Sequence, residues 1–268
     1  MNHLHREVAP ISEAGWKALE EEVTPRLTTH LAARKLVDFD GPHGWRHSAT
    51  NLGRAAAIGG PAEGVVAAQR RVLPLVELRT EFKVRRAELQ DAERGASDLD
   101  FSELAEAARR MALAENTSVF HGYPAAAVRG IAECSAHSPI PLAAEAHSYP
   151  NSVARAVDLL RQAGIGGPYG LAIGPSNYTR IVETTEHGGY PLLDHLRQIL
   201  GGPVVWAPGV EGGILLSLRG GDFVLESGQD ISLGYLDHDA EVVHLYLEES
   251  FSFRVLEPEA AVVLQVGA

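Results

Sequence analysis

Val76-Glu77-Leu78-Arg79-Thr80-Glu81-Phe82-Lys83-Val84 is the most regular stretch of the chain, with Val76, Leu78, Thr80, Phe82 and Val84 alternating with charged neighbours. A period of two predicts a strand with one dry and one wet face. Its charges alternate in sign, so they can lace to an adjacent strand or stay in water, and solvation is the expectation. Downstream the period changes. Helices are predicted over 86–94, stopped by Gly95, and over 102–119, with Leu104, Ala108, Met111, Ala112 and Val119 inward. Asn151 is expected to cap a helix carrying Val153, Val157 and Leu160 that Gly164 closes. A short buried strand over 169–173 leads to helices over 176–184 and 191–200. The tail reads as strands over 203–207, 213–218, 229–236, 241–256 and 260–266. Helices in the middle and strands at the end make the class α+β rather than a βαβ series.

Upstream, residues 41–64 are rich in Gly, Pro and Ala, too long and irregular for a tight connection, so an extended arm is expected. Before it, Ser12 can cap a helix with Trp16, Leu19 and Val23 on one stripe. Pro25 predicts a kink or restart, after which Leu27, Leu31 and Arg34 continue the spacing to about residue 36. The pattern fits a core-facing helix and a partner-binding one equally.

At 268 residues and 45% apolar, the chain suits one large or two modest domains. No apolar run reaches the ~18 residues of a membrane span. The opening Met1–Glu7 has no apolar signal core, and the single cysteine, Cys134, forms no internal pair, so a cytoplasmic protein is expected. The formal charge of -12 disfavours nucleic acid as a partner. That charge is uneven. Residues 1–134 hold 17 basic and 19 acidic side chains and residues 135–268 hold 6 and 16, so -10 lies in the second half.

Catalytic patterns are missing. His43 and His47 flank Gly44 and share no helix face, and there is no HExxH or Cys/His ligand set, so no metal is expected. The run Gly164–Gly170 leaves a helix and enters a strand, the reverse of a phosphate-binding turn. No GxSxG elbow occurs, and Cys134 has no histidine nearer than His137. The acidic pairs Asp237/Asp239 and Glu248/Glu249 read as solvated charge.

The chain as a whole resembles the encapsulin shell proteins, also called the linocin-type bacteriocin family. The resemblance runs from end to end. It is carried by Arg6–Pro10 with Trp16, Ala33–Asp38 before Gly41-Pro42, Leu73–Arg79, Glu93-Arg94-Gly95, Gly167-Pro168-Tyr169, Gly189-Tyr190-Pro191, Arg219–Phe223 and Gly234-Tyr235. It implies an HK97-like phage major-capsid fold. The domains expected are an N-terminal helical segment over 1–40, an extended loop over 41–75, a peripheral domain over 76–135 and 225–268, and an axial domain over 136–224.

The implied role is a non-enzymatic wall: an icosahedral homo-oligomer of about sixty copies, the least that symmetry permits. The cage would hold a cargo enzyme, a dye-decolourising peroxidase or a ferritin-like protein, by a C-terminal tail docked on the inner wall. Residues matching the family's docking surface are Leu27, Leu31, Arg34 and Asp38, with Ile231, Gly234 and Tyr235 beside them. Apolar tail side chains would fill the stripe while Arg34 and Asp38 fix direction. Glu183, Glu186, His187, Gly188 and Gly189 match the five-fold pore loop, where rings of acid would favour cations. No cofactor is implied, because Ala87 stands where certain relatives carry an aromatic that stacks on flavin. The competing readings are a phage-type major capsid protein, which would need an interior suited to DNA, and a secreted bacteriocin or peptidase, which would need a nucleophile or metal.

Overall fold

The computed structural model describes residues 3–143, 145–186 and 188–266. In chain order the elements are α1 (Glu13–His30), β1 (Asp38–Asp40), β2 (Ala49–Ile58), β3 (Ala67–Pro74), β4 (Val76–Arg85), α2 (Arg86–Glu93), α3 (Ser102–Phe120), β5 (Gly122–Tyr123), β6 (Val128–Arg129), α4 (Ile131–Cys134) and β7 (Ile140–Leu142). They continue with α5 (Tyr149–Gln162), β8 (Tyr169–Ile173), α6 (Pro175–Glu183), α7 (Leu192–Leu200), β9 (Val204–Trp206), β10 (Gly213–Ser217), β11 (Phe223–Ser227), β12 (Ser232–His238), β13 (Val242–Val255) and β14 (Ala261–Val266).

The alternating stretch forms β4, antiparallel to β13 from Val76 opposite Phe251 to Arg85 opposite Val242. β13 also pairs β12 and β11, and β1 lies parallel to β11. Phe82 and Val84 of β4 are buried with Leu104, Ala108 and Met111 of α3 and Trp16, Leu19 and Val23 of α1. This core fixes α1 against the sheet, which positions everything discussed below. The charged face of β4 is more engaged than expected: Arg79 donates to Glu248, and Lys83 Nζ stands 3.7 Å from Glu103. β11 was not expected at all, because Gly220-Gly221 before it and Gly228 after it read as turn residues.

A second five-stranded sheet runs β7-β14-β10-β8-β9 and is packed by α5 and α7 through Val153, Val157, Leu160, Leu192 and Leu196. Its strand β14 comes from the range expected for the peripheral domain, yet it pairs β10 and β7 here. The chain therefore crosses back after β13. Between β1 and β4, β2 and β3 pair only with each other, and Val66 at the tip is 94% exposed. The expected arm is thus a hairpin without a core of its own.

Two local expectations need correcting. Pro25 does not restart α1, which is one helix from Glu13 to His30. Pro25 and Glu21 are exposed, which leaves the carbonyl that loses its partner within reach of water. Asn151 is not a cap, because α5 begins two residues earlier with Pro150 in its first turn, where a missing N–H costs nothing.

Candidate functional site

Ser12 does cap α1, accepting from the N–H of Gly15 at 3.2 Å. Burial of Trp16, Leu19 and Val23 turns the next apolar residue, Leu27, toward the start of β12. Along that strand Ile231, Leu233 and Tyr235 share one face, as a period of two dictates. The helix and strand enclose a groove of about 210 Å³ lined by Leu4, Val23, Leu27, Ile231, Leu233 and Leu247, with Arg6 and Glu20 among the lining residues.

The structure divides the residues matched to the docking surface. Leu27 and Ile231 meet in the groove. Leu31 is buried as the cap of α1, its N–H donating to Leu27 O at 2.8 Å. Arg34 and Asp38 border a separate cavity of about 200 Å³ with Leu36, Leu218 and Phe223. Asp38 accepts from Gly221 N–H at 2.6 Å. Gly234 lies under the ring of Tyr246, where a Cβ would stand 2.1 Å from Cζ. Tyr235 is half-buried and donates its N–H to Leu4 O at 2.9 Å. Leu4, Val23, Leu233 and Leu247 were missed as groove residues. The alternation around Leu233 could have revealed it, whereas Leu4 sits between two histidines with no periodic signal.

Arg34 is tied to three acids. Its Nε donates to Glu115 at 2.7 Å, Nη1 to Asp230 at 2.6 Å and Nη2 to Glu249 at 3.3 Å. Burial works against the guanidinium's charge, but Glu115, Asp230 and Glu249 outweigh it and hold Arg34 above its ordinary value. Glu249 is displaced well above the carboxylate range by burial and then by Glu115, with Arg34 opposing. Glu248 and Glu249 are each 1% exposed, which overturns their reading as solvated charge. They face opposite sides of β13, and each meets an arginine, Arg79 and Arg34 respectively.

The loop after α6 is closed by its own backbone: Glu186 N–H donates to Tyr190 O at 2.8 Å and Gly189 N–H to Glu186 O at 2.9 Å. Gly188 and Gly189 take φ of 92° and 81°, values that favour glycine. Glu183 is exposed. The Glu186 carboxylate lies 2.8 Å from Nδ1 of His195 on α7. His187 lies outside the described residues. Ala87 lines a cleft of about 840 Å³ with Lys83, Arg85, Arg86 and Glu103. Burial pushes the Cys134 thiol up, and among the described residues no three His, Cys, Asp or Glu side chains are grouped to hold a metal. No helix among them is long and apolar enough to cross a membrane.

This arrangement of two sheets, a protruding hairpin and a long α3 is the HK97-like capsid fold. A solved virus-like particle from Pyrococcus furiosus matches with a TM-score of 0.62 at 20% identity, over 93% of this chain and 99% of that one. Gordonia phage Cozz matches with a TM-score of 0.55 at 15% identity, over 89% and 87%. The fold is the one shared by capsid-like particles. The family profile described as "Encapsulating protein for peroxidase" covers residues 1–252. A type 1 encapsulin shell protein of Rhodospirillum rubrum is 49% identical over 99% of this chain and 97% of its own length. The chain belongs to the encapsulin shell proteins, which are structural and not enzymes.

Proposed function

We propose that this chain builds a bacterial cytoplasmic cage of about sixty copies that encloses a dye-decolourising peroxidase by the enzyme's C-terminal tail. The observation that carries the reading is the groove between α1 and β12, whose apolar lining and edge-strand backbone suit an extended apolar segment. The peroxidase is preferred over a ferritin-like protein because the family is described by it. Leu27 and Ile231 take the tail's apolar side chains. Leu31, Gly234 and the Arg34 network act beneath the groove by holding its walls, and Asp38 fastens β1 to Gly221 beside the second cavity. Many identical sites facing one volume retain multimeric cargo even when each is weak. Co-expression with the peroxidase, intact and without its tail, tests this. Peroxidase activity should co-purify with particles only for the intact enzyme, and Leu27→Asp with Ile231→Asp should empty particles that still assemble. Equal loading without the tail, or tail-dependent loading of a ferritin-like protein alone, would overturn the assignment.

We also propose that Glu183, Glu186 and His187, with Gly188 and Gly189 shaping the turn, line the five-fold pore and favour cations. Changing Glu183, Glu186 and His187 together to Ser should slow metal-ion entry into loaded cages. Unchanged entry removes the idea.

A further inference from the structure

One side of the groove is built by the chain's own N-terminal residues, Leu4 and Arg6. Leu4 is 6% exposed and lines the same cavity as Leu27, Ile231 and Leu233. Its carbonyl accepts the Tyr235 N–H at 2.9 Å, and Tyr246 Oη donates to His3 O at 3.3 Å. β12 is the end strand of its sheet, so it presents backbone groups that an added chain can satisfy. At one end of the segment the His3 ring stacks on Trp45 at 3.8 Å and 10°, with Nε2 3.6 Å from Glu248. At the other, Arg6 reaches Glu20 at 2.7 Å and lies over Trp16 at 4.2 Å. Arg6, Glu20 and Trp45 are all partly exposed, and contacts of that kind hold loosely.

We propose that residues His3–Arg6 are a displaceable strap on the edge of β12, with which any peptide pairing along that strand competes. The inference rests on the groove being the docking site. A tail that pairs with the edge of β12 needs the Tyr235 N–H that the strap now uses, so tail and strap compete for that bond. Apparent tail affinity is then reduced by the fraction of subunits whose strap is open, so weak or non-cognate chains are rejected while a multivalent cargo displaces many straps at once.

Three shells test this after disassembly and reassembly: the full chain, the chain lacking residues 1–6, and Leu4→Asp, which evicts the strap without truncation. Two fluorescent probes are offered, a peptide copying residues 1–8 and a peptide of the peroxidase C-terminal tail, and retention is read after gel filtration. Both altered shells should retain the 1–8 peptide about tenfold better than the full chain, and the tail peptide by a similar factor. Equal retention of the 1–8 peptide by all three shells overturns the strap, whatever the tail does. Equal and substantial retention of the tail by all three, with the 1–8 peptide discriminating, overturns the competition. Should neither kind of shell retain the tail while the 1–8 peptide still discriminates, the docking reading is the one that fails.

Discussion

Nε of Arg34 lies 2.7 Å from Oε2 of Glu115, a side chain with no exposure, although the two are 81 residues apart in sequence. The same guanidinium reaches Asp230 and Glu249, so one cation ties the segment after α1 to α3, to the approach of β12 and to β13. Arg34→Met therefore leaves buried Glu115 and Glu249 beside each other without their shared cation. The expected loss is about 3–5 kcal/mol, measured by denaturant unfolding of disassembled subunits. Arg34→Lys should recover little of it, because a single ammonium cannot reproduce the planar fork that serves three acceptors. A loss under ~1 kcal/mol would mean that water, not Arg34, satisfies these acids.

Glu249 sets a pH dependence of definite sign. Its folded-state value is raised, by burial first and then by Glu115, so the folded chain binds the proton more tightly than the unfolded chain does. The stabilisation from that proton is complete below the ordinary carboxylate value of 4.5 and is lost as pH rises through the raised folded value. Glu249→Gln keeps a neutral side chain and removes the titration. Across that window the wild-type subunit should lose stability relative to Glu249→Gln as pH increases. Unfolding measured at a series of pH values decides it, and a constant difference between the two proteins counts against the shared-burial account.

Gly234 is required by one ring. A Cβ there would stand 2.1 Å from Tyr246 Cζ, and the Arg79 guanidinium lies 4.1 Å from the centre of that ring. Gly234→Ala must push the ring away, with an expected cost of about 1–3 kcal/mol. The same displacement breaks the Tyr246 bond to His3 O, so Trp45 fluorescence should change as His3 leaves it. Adding Tyr246→Ala should recover part of the stability, giving a strongly non-additive cycle. Additive losses would place the fault elsewhere in β12.

The pattern of legibility follows the range of the interactions. Strand β4 could be read because every second residue reports its own burial, and α3 because its inward positions repeat at helical spacing. Glu248 and Glu249 could not, since their arginine partners are 169 and 215 residues away and nothing local distinguishes a paired acid from a hydrated one. The groove was half legible. Leu27 and Ile231 came from a resemblance, whereas Leu4 enters it only because Arg6 and His3 fasten the segment at both ends. Arg34 came from the same resemblance, and its acid partners, as far as 215 residues away, left no local signal.

Asn116 is the least conspicuous of the residues that hold the N-terminal segment, a buried amide inside α3. Its Oδ1 accepts the N–H groups of Ala32 at 2.9 Å and Ala33 at 3.1 Å. Its Nδ2 donates to the carbonyls of His30 at 2.9 Å and Pro208 at 3.1 Å. All four bonding positions of the amide are used, and they close the end of α1 just where the chain turns toward Arg34. Asn116→Ala leaves buried backbone groups unpaired at about 1–3 kcal/mol each, so a total near ~3 kcal/mol is expected even if some recover water. Asn116→Asp is the sharper test. Its carboxylate can still accept both N–H groups but faces the two carbonyls with charge and no donor, so at neutral pH it should be no better than Ala. In acid the protonated carboxyl regains one donor, and stability should partly return. Hydrogen exchange at the amides of Ala32 and Ala33 reports the local effect directly, and it should accelerate in Asn116→Ala. If those amides stay as protected as in the wild type, the turn at Ala33–Lys35 holds the segment unaided and Asn116 is only a filler of space.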